Sequence, residues 1–209
     1  MAQRAQIVLE PRKRPVQARS TASVRAILEA TIQVLLRVGK ERLTTTRVAE
    51  RAGVSVGTLY QYFPNKSALL RAVLQRHLDD VTSAVERVSR EQRGRAAEDM
   101  VTAVIEAFLA AKMRDGKTSV ALYSVSSDVD GARIVAQTGA RTNVAMVEML
   151  RSARRPLVRD PEMVATMLQG AMAGISRRLL ESGDAERHFP GLREELIFLA
   201  RAYVKACGK

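Results

Sequence analysis

Apolar residues recur at spacings of three and four along most of this chain. From about Ser20, Val24, Ile27, Leu28, Thr31, Ile32, Leu35 and Leu36 build one apolar face of a helix. Ser20 or Thr21 supplies a cap and Gly39 a stop. Two short helices with a tight turn follow. A longer helix starts after Pro64-Asn65, with Asn65 as its cap, and carries Leu69, Leu70, Val73, Leu74, His77, Leu78, Val81 and Val85 towards Arg90. The pattern predicts further helices at about 95–114, 117–126, 130–154, 161–182 and 190–206. The breaks fall at Gly94, Gly116, Asp128 to Asp130, Pro156 to Pro161, and Gly183 to Pro190. Asp160-Pro161-Glu162 is a strong helix start: a cap, a proline in the first turn, then an acid at the positive end of the dipole. No segment alternates with period two. The predicted fold is all-α, with about nine helices.

The 209 residues suffice for one large domain or two small ones, each with a buried core. Charge sharpens the picture. Residues 1–66 hold 12 Lys and Arg against 4 Asp and Glu, a net of +8 out of +12 for the whole chain. A polyanion partner is therefore expected for the first third. No apolar run approaches the length of a membrane span, and the first residues lack the apolar core of a signal peptide. The expected compartment is the cytoplasm, and no membrane contact is expected. Cys207 is the only cysteine, and His77 and His188 stand far apart, so neither a disulfide nor a metal or other cofactor is expected.

The informative stretch runs from Leu43 to Lys66, LTTTRVAERAGVSVGTLYQYFPNK. Thr44 or Thr45 can cap a helix with Val48, Ala49 and Ala52 facing inward, and Gly53 ends it where the chain needs positive φ. Val54 plugs the turn, and Ser55 caps a second short helix whose Leu59 and Phe63 pack inward. Two such helices at a wide angle form a helix-turn-helix. The second helix leaves Ser55, Val56, Gly57, Thr58, Tyr60, Gln61 and Tyr62 outward, small and neutral at the end that would enter a major groove. Thr58 and Gln61 can bond base edges, and Val56 can touch a thymine methyl. Tyr60, Tyr62 and Lys66 can reach phosphates. Thr44, Thr45, Thr46 and Arg47, at the start of the first helix, complete the expected DNA-contacting set. The basic cluster Arg12, Lys13 and Arg14, with Arg19 beyond it, forms an arm that follows the DNA or stays a solvated tail.

The pattern T-x-x-x-V-A-x-x-A-G-V-S-x-G-T-L-Y-x-Y-F-x-x-K, from Thr44 to Lys66, resembles the signature of the TetR family of bacterial one-component regulators. The resemblance covers about residues 20–75; beyond it only the helical layout and chain length are similar. Residues 1–19, with two prolines, a basic cluster and no apolar period, are expected to form a flexible basic arm, and the resemblance implies a three-helix DNA-binding domain at 20–66 and a ligand-binding and dimerisation domain at 67–209. It further implies a homodimer on double-stranded DNA at a palindromic operator. A small-molecule effector would enter the C-terminal domain, shift the connecting helix at about 65–90 and release the DNA. Most such proteins repress.

Within that frame, a pocket is expected from Met100, Val104, Phe108, Met113, Leu122, Tyr123, Met146 and Met149, although methionines also simply fill cores. Glu106 and Glu148 could face a cationic effector or plain solvent. The dimer interface is expected on Met167, Gly170, Ala171, Gly174 and Ile175 of one helix and Leu196, Leu199 and Tyr203 of the next, faces that a lone chain could also bury internally. A basic architectural DNA binder without ligand control is the alternative function. An enzyme is not expected, because the chain shows neither a nucleophile–base pair nor a phosphate loop.

Overall fold

The computed structural model describes residues 18–208. Its helices are α1 (Ala18–Arg42), α2 (Thr45–Ala52), α3 (Val56–Tyr62), α4 (Lys66–Glu91), α5 (Ala97–Met113), α6 (Gly116–Val125), α7 (Gly131–Arg151), α8 (Pro161–Glu181) and α9 (Ala185–Ala206). A 3₁₀ turn, Ser126–Asp128, separates α6 from α7. Among the described residues the only β-type pairing is an isolated bridge between Leu157 and Gly208. The all-α expectation holds.

Local chemistry explains most boundaries. Asn65 caps α4, its side chain accepting from the Ala68 amide at 2.8 Å. Asp160 accepts from the Glu162 amide at 3.1 Å, with Pro161 in the first turn of α8. The helical dihedrals of α1 break at Gly39 (φ 74°, ψ 170°), so the stop expected there is a kink followed by one further turn. Two expectations need correction. Helix α9 starts at Ala185, not at 190, because Asp184 caps it and Pro190 falls only a turn and a half inside. Pro190 lacks the amide that would bond four residues back, so α9 gives up one helical bond in its second turn. On α1, Val34 is buried while Leu36 is 44% exposed.

The described chain divides into two compact units. One comprises residues 18–77 together with Ala121–Arg133. Its core holds Ile27, Leu35, Leu43, Val48, Leu59 and Phe63, all buried. This unit runs past the boundary expected at residue 66, since Leu69, Leu70, Val73 and Leu74 of α4 are buried too.

The other unit comprises Leu78–Val120 together with residues 134–208. Here α5 and α8 both pack on α9. The core draws on Val85, Met100, Val104, Met149, Leu168 and Leu196. Arg141 ties α7 to α4, forking onto Glu86 through two bonds of 3.0 Å and reaching Asp79 at 2.8 Å. The bond to Glu86 raises its pKa above the ordinary arginine value.

Candidate nucleic-acid interface

The turn between α2 and α3 is built from two capping side chains and one glycine. Thr44 accepts from the Arg47 amide at 3.3 Å and starts α2. Gly53 ends it at φ 68°, in the left-handed region that a residue with a Cβ enters at a cost. The Val54 amide then reaches back to the Ala49 carbonyl at 3.0 Å, which closes the helix end. Ser55 caps α3 by accepting from the Thr58 amide at 3.0 Å. Leu59 and Phe63 are buried beneath α3, which fixes the face it turns outward.

That outward face carries Val56, Gly57, Tyr60 and Gln61, all exposed, and it is uncharged. The Tyr60 hydroxyl lies 3.0 Å from the Thr45 hydroxyl, so the phenol is held across the α2–α3 junction. Thr44 and Thr46 are exposed beside it. Gly57 has open space around it: a Cβ there would meet only the Ser55 hydroxyl, at 3.7 Å. The fold therefore does not require glycine at this position.

Several other residues of the expected set also bond or pack within the protein. The Thr58 hydroxyl sits 2.8 Å from the Ser55 hydroxyl and is half-buried, so it serves the cap. Tyr62 is half-buried. The Lys66 ammonium donates to the Lys40 carbonyl at 2.5 Å, closing the end of α1. Arg47 donates to the Arg42 carbonyl at 2.6 Å and lines a groove of about 690 Å³ with Arg37, Glu50 and Arg51, on the α1 side of α2. Arg12, Lys13 and Arg14 lie outside the described residues, as does the side chain of Arg19.

In the second unit, Met100, Val104, Met146 and Met149 are fully buried in the core, with Phe108 packed against it and Met113 half-buried. Leu122 and Tyr123 belong to the first unit, so the expected pocket residues do not fall in one compact body. Glu106 and Glu148 are exposed and paired with Arg193 and Arg93, which removes them as counterions for a buried cation. Two polar groups went unnoticed in the sequence. Ser89 on α4 is 1% exposed, and its hydroxyl has no hydrogen-bond partner. Lys112 continues the α5 stripe Met100, Val104, Phe108 at intervals of four, and burial lowers its ammonium below the ordinary lysine pKa.

The α8 face expected to pair is open in the single chain. Met163 and Met167 are 59% and 55% exposed, and nothing lies within 4 Å of a Cβ placed on Gly170 or Gly174. Ala171, Ile175 and Tyr203 are half-buried. Leu196, by contrast, is 1% exposed and belongs to the protomer core. The sequence reading missed Phe198, which is 70% exposed beside Leu199 at 51%. Its signal was a second apolar stripe on α9, Phe198, Leu199 and Ala202, turned away from Leu196 and Ala200.

Residues 27–73 match the bacterial regulatory proteins of the tetR family, and residues 97–203 match the tetracyclin repressor-like C-terminal domain. The HTH-type transcriptional repressor KstR of Mycolicibacterium smegmatis is 41% identical over 63 residues, 30% of this chain and 31% of that protein. The nucleoid occlusion factor SlmA of Haemophilus ducreyi is 38% identical over 71 residues, 34% and 35% of the two chains. The chain thus spans about a third of the length of these curated relatives. Among solved structures, a TetR-family regulator from Mesorhizobium loti superposes with a TM-score of 0.76 at 18% identity, covering 92% of this chain and all of that one. SmeT, the repressor of a Stenotrophomonas maltophilia multidrug efflux pump, gives 0.63 at 22% identity, covering 90% and 91%. At such identities the likeness shows the fold.

Proposed function

Since the chain belongs to the TetR family of bacterial regulatory proteins, we propose that it is a homodimeric repressor that reads a palindromic operator with α3 and leaves it when a small molecule binds. One observation carries the DNA reading: α3 presents an uncharged face with unobstructed space at Gly57, beside a tyrosine held by Thr45. A face of that kind can enter a major groove, and Gln61 and Val56 then meet base edges. Tyr60 and Thr46 supply backbone contacts that set register.

The second unit supports the effector reading. It is built on adaptable methionine and aliphatic side chains, and it holds a buried hydroxyl at Ser89 with no partner. An effector with an anionic group would complement Lys112 at the end of the α5 stripe. Helix α4 contributes residues to both units, so a displacement of α4 on binding is the route to release.

Two substitutions test the DNA reading. Tyr60→Ala is expected to weaken binding to a selected operator by about 1–3 kcal/mol with the helical content unchanged. Titration of labelled duplex followed by fluorescence anisotropy measures it, and wild-type affinity would remove Tyr60 from the interface. Gly57→Ala is expected to move stability and binding in opposite directions. In a helix with free space alanine is favoured over glycine by roughly 0.5–1 kcal/mol, so the melting temperature rises. DNA affinity falls because the added methyl stands where the backbone must approach the groove. A variant that binds as tightly as wild type would show that nothing approaches Gly57.

A further inference from the structure

The two ends of the helix-turn-helix are pinned to one turn from the C-terminal half of the sequence. We infer that the turn between α6 and α7, through Asp128 and Asp130, positions the reading helix α3, although it touches neither α2 nor α3 through these groups. The inference rests on α3 being the DNA-reading helix.

The geometry begins at the end of α1, just past the Gly39 kink. The Lys40 ammonium bonds the Asp128 carboxylate at 3.0 Å. The carbonyl of the same Lys40 accepts from the ammonium of Lys66, the first residue of α4. In the first turns of α4, Arg71 faces Asp130 at 3.7 Å, and the Arg71 side chain is only 10% exposed. Residues 41–65, which contain α2 and α3, thus leave from one clamped point and return to another. Both points meet the same short turn.

That turn is itself rigid. Val125 and Val129 are fully buried, as is Leu122 one turn earlier. Asp130 adopts φ 57°, and a Cβ on Gly131 would stand 2.5 Å from the Ser126 carbonyl oxygen. The backbone therefore cannot relax around either carboxylate without unpacking the buried valines. By its contacts the segment Ala121–Arg133 groups with the helix-turn-helix unit and not with its sequence neighbours. A flexible tail would tolerate loss of one ion pair, but a rigid brace transmits it to the helices it holds.

Charge substitution separates positioning from bulk electrostatics. D128K makes the protein two charges more positive, which by counterion release should tighten binding to any DNA. If Asp128 positions α3, the same variant loses affinity for the operator. The probes are the duplex that wild type selects from a random pool and a random-sequence duplex of equal length. The expected operator-to-random affinity ratio falls about threefold in D128N and about tenfold in D128K, and the charge swap K40D/D128K restores most of it. D128N removes one half-exposed charge and keeps the fold, so it decides the matter should D128K misfold. An unchanged ratio in D128N, or a lowered melting temperature with both affinities intact, overturns the inference. A swap that does not recover also counts against it. A wild-type protein that selects no sequence instead overturns the DNA reading, and this inference with it.

Discussion

Phe198→Asp is expected to leave the protomer folded and to abolish the dimer. Phe198 is 70% exposed in the single chain, so its removal takes almost nothing from the protomer core. Its neighbours make it a poor surface residue and a good interface residue. Leu199 lies beside it, and α8, which packs on α9, exposes Met163 and Met167 above two glycines with open space. In a two-fold interface each substitution counts twice. Burying a phenylalanine contributes about 1.5–3 kcal/mol, so two copies account for roughly 3–6 kcal/mol of dimer stability. An unpaired aspartate in the same place costs more again. The dissociation constant should rise by at least about a hundredfold, read as protomer mass in sedimentation or light scattering at micromolar protein. A variant of dimeric mass and unchanged affinity would place the interface elsewhere. Gly174→Leu tests the same face from α8 and should also dissociate or misassemble the dimer.

Phe63→Ala should instead damage the fold. Phe63 is 2% exposed, ends α3, and is among the largest fully buried side chains of its unit together with Leu43, Leu59 and Leu69. A phenylalanine deleted from such a site costs about 3–5 kcal/mol, part transfer energy and part unfilled cavity. Operator binding falls with it, because the same packing sets which face α3 turns outward. Denaturant unfolding followed by circular dichroism measures the loss. A loss below about 1 kcal/mol would mean that the site collapses around the gap or was never well packed. The contrast with Gly57→Ala is informative, since there binding is expected to fall while stability rises. Together the two variants separate residues that build the reading head from those that use it.

The parts of this structure that were legible in the sequence are those decided within a few residues. Thr44, Ser55 and Asn65 cap the helices they precede, and Gly53 takes the positive φ its position demands. Each of these rests on a hydrogen bond or a dihedral closed within one turn. The start of α9 was misplaced because Pro190 reads as a stop, whereas the Asp184 cap upstream had already started the helix. Phe198 was overlooked because the periodic stripe through Leu196 and Ala200 describes the core face, and Phe198 stands exposed on the other one.

What stayed illegible depends on distant neighbours. Lys66 looks like a free cation in sequence, but it donates to the Lys40 carbonyl near the end of α1, 26 residues away and brought there only by the fold. Glu106 and Glu148 meet arginines 87 and 55 residues away. The segment 121–133 groups with the helix-turn-helix unit, where its Asp128 and Asp130 meet Lys40 and Arg71. No local pattern announces such a pairing.

Selection of bound duplexes from a random pool at near-physiological salt tests the central claim most directly. The account predicts enrichment of one two-fold-symmetric motif, its half-sites about one helical turn apart or a multiple of that. Retention of DNA without any enriched sequence would contradict it, and would leave a basic protein that binds duplexes by charge alone.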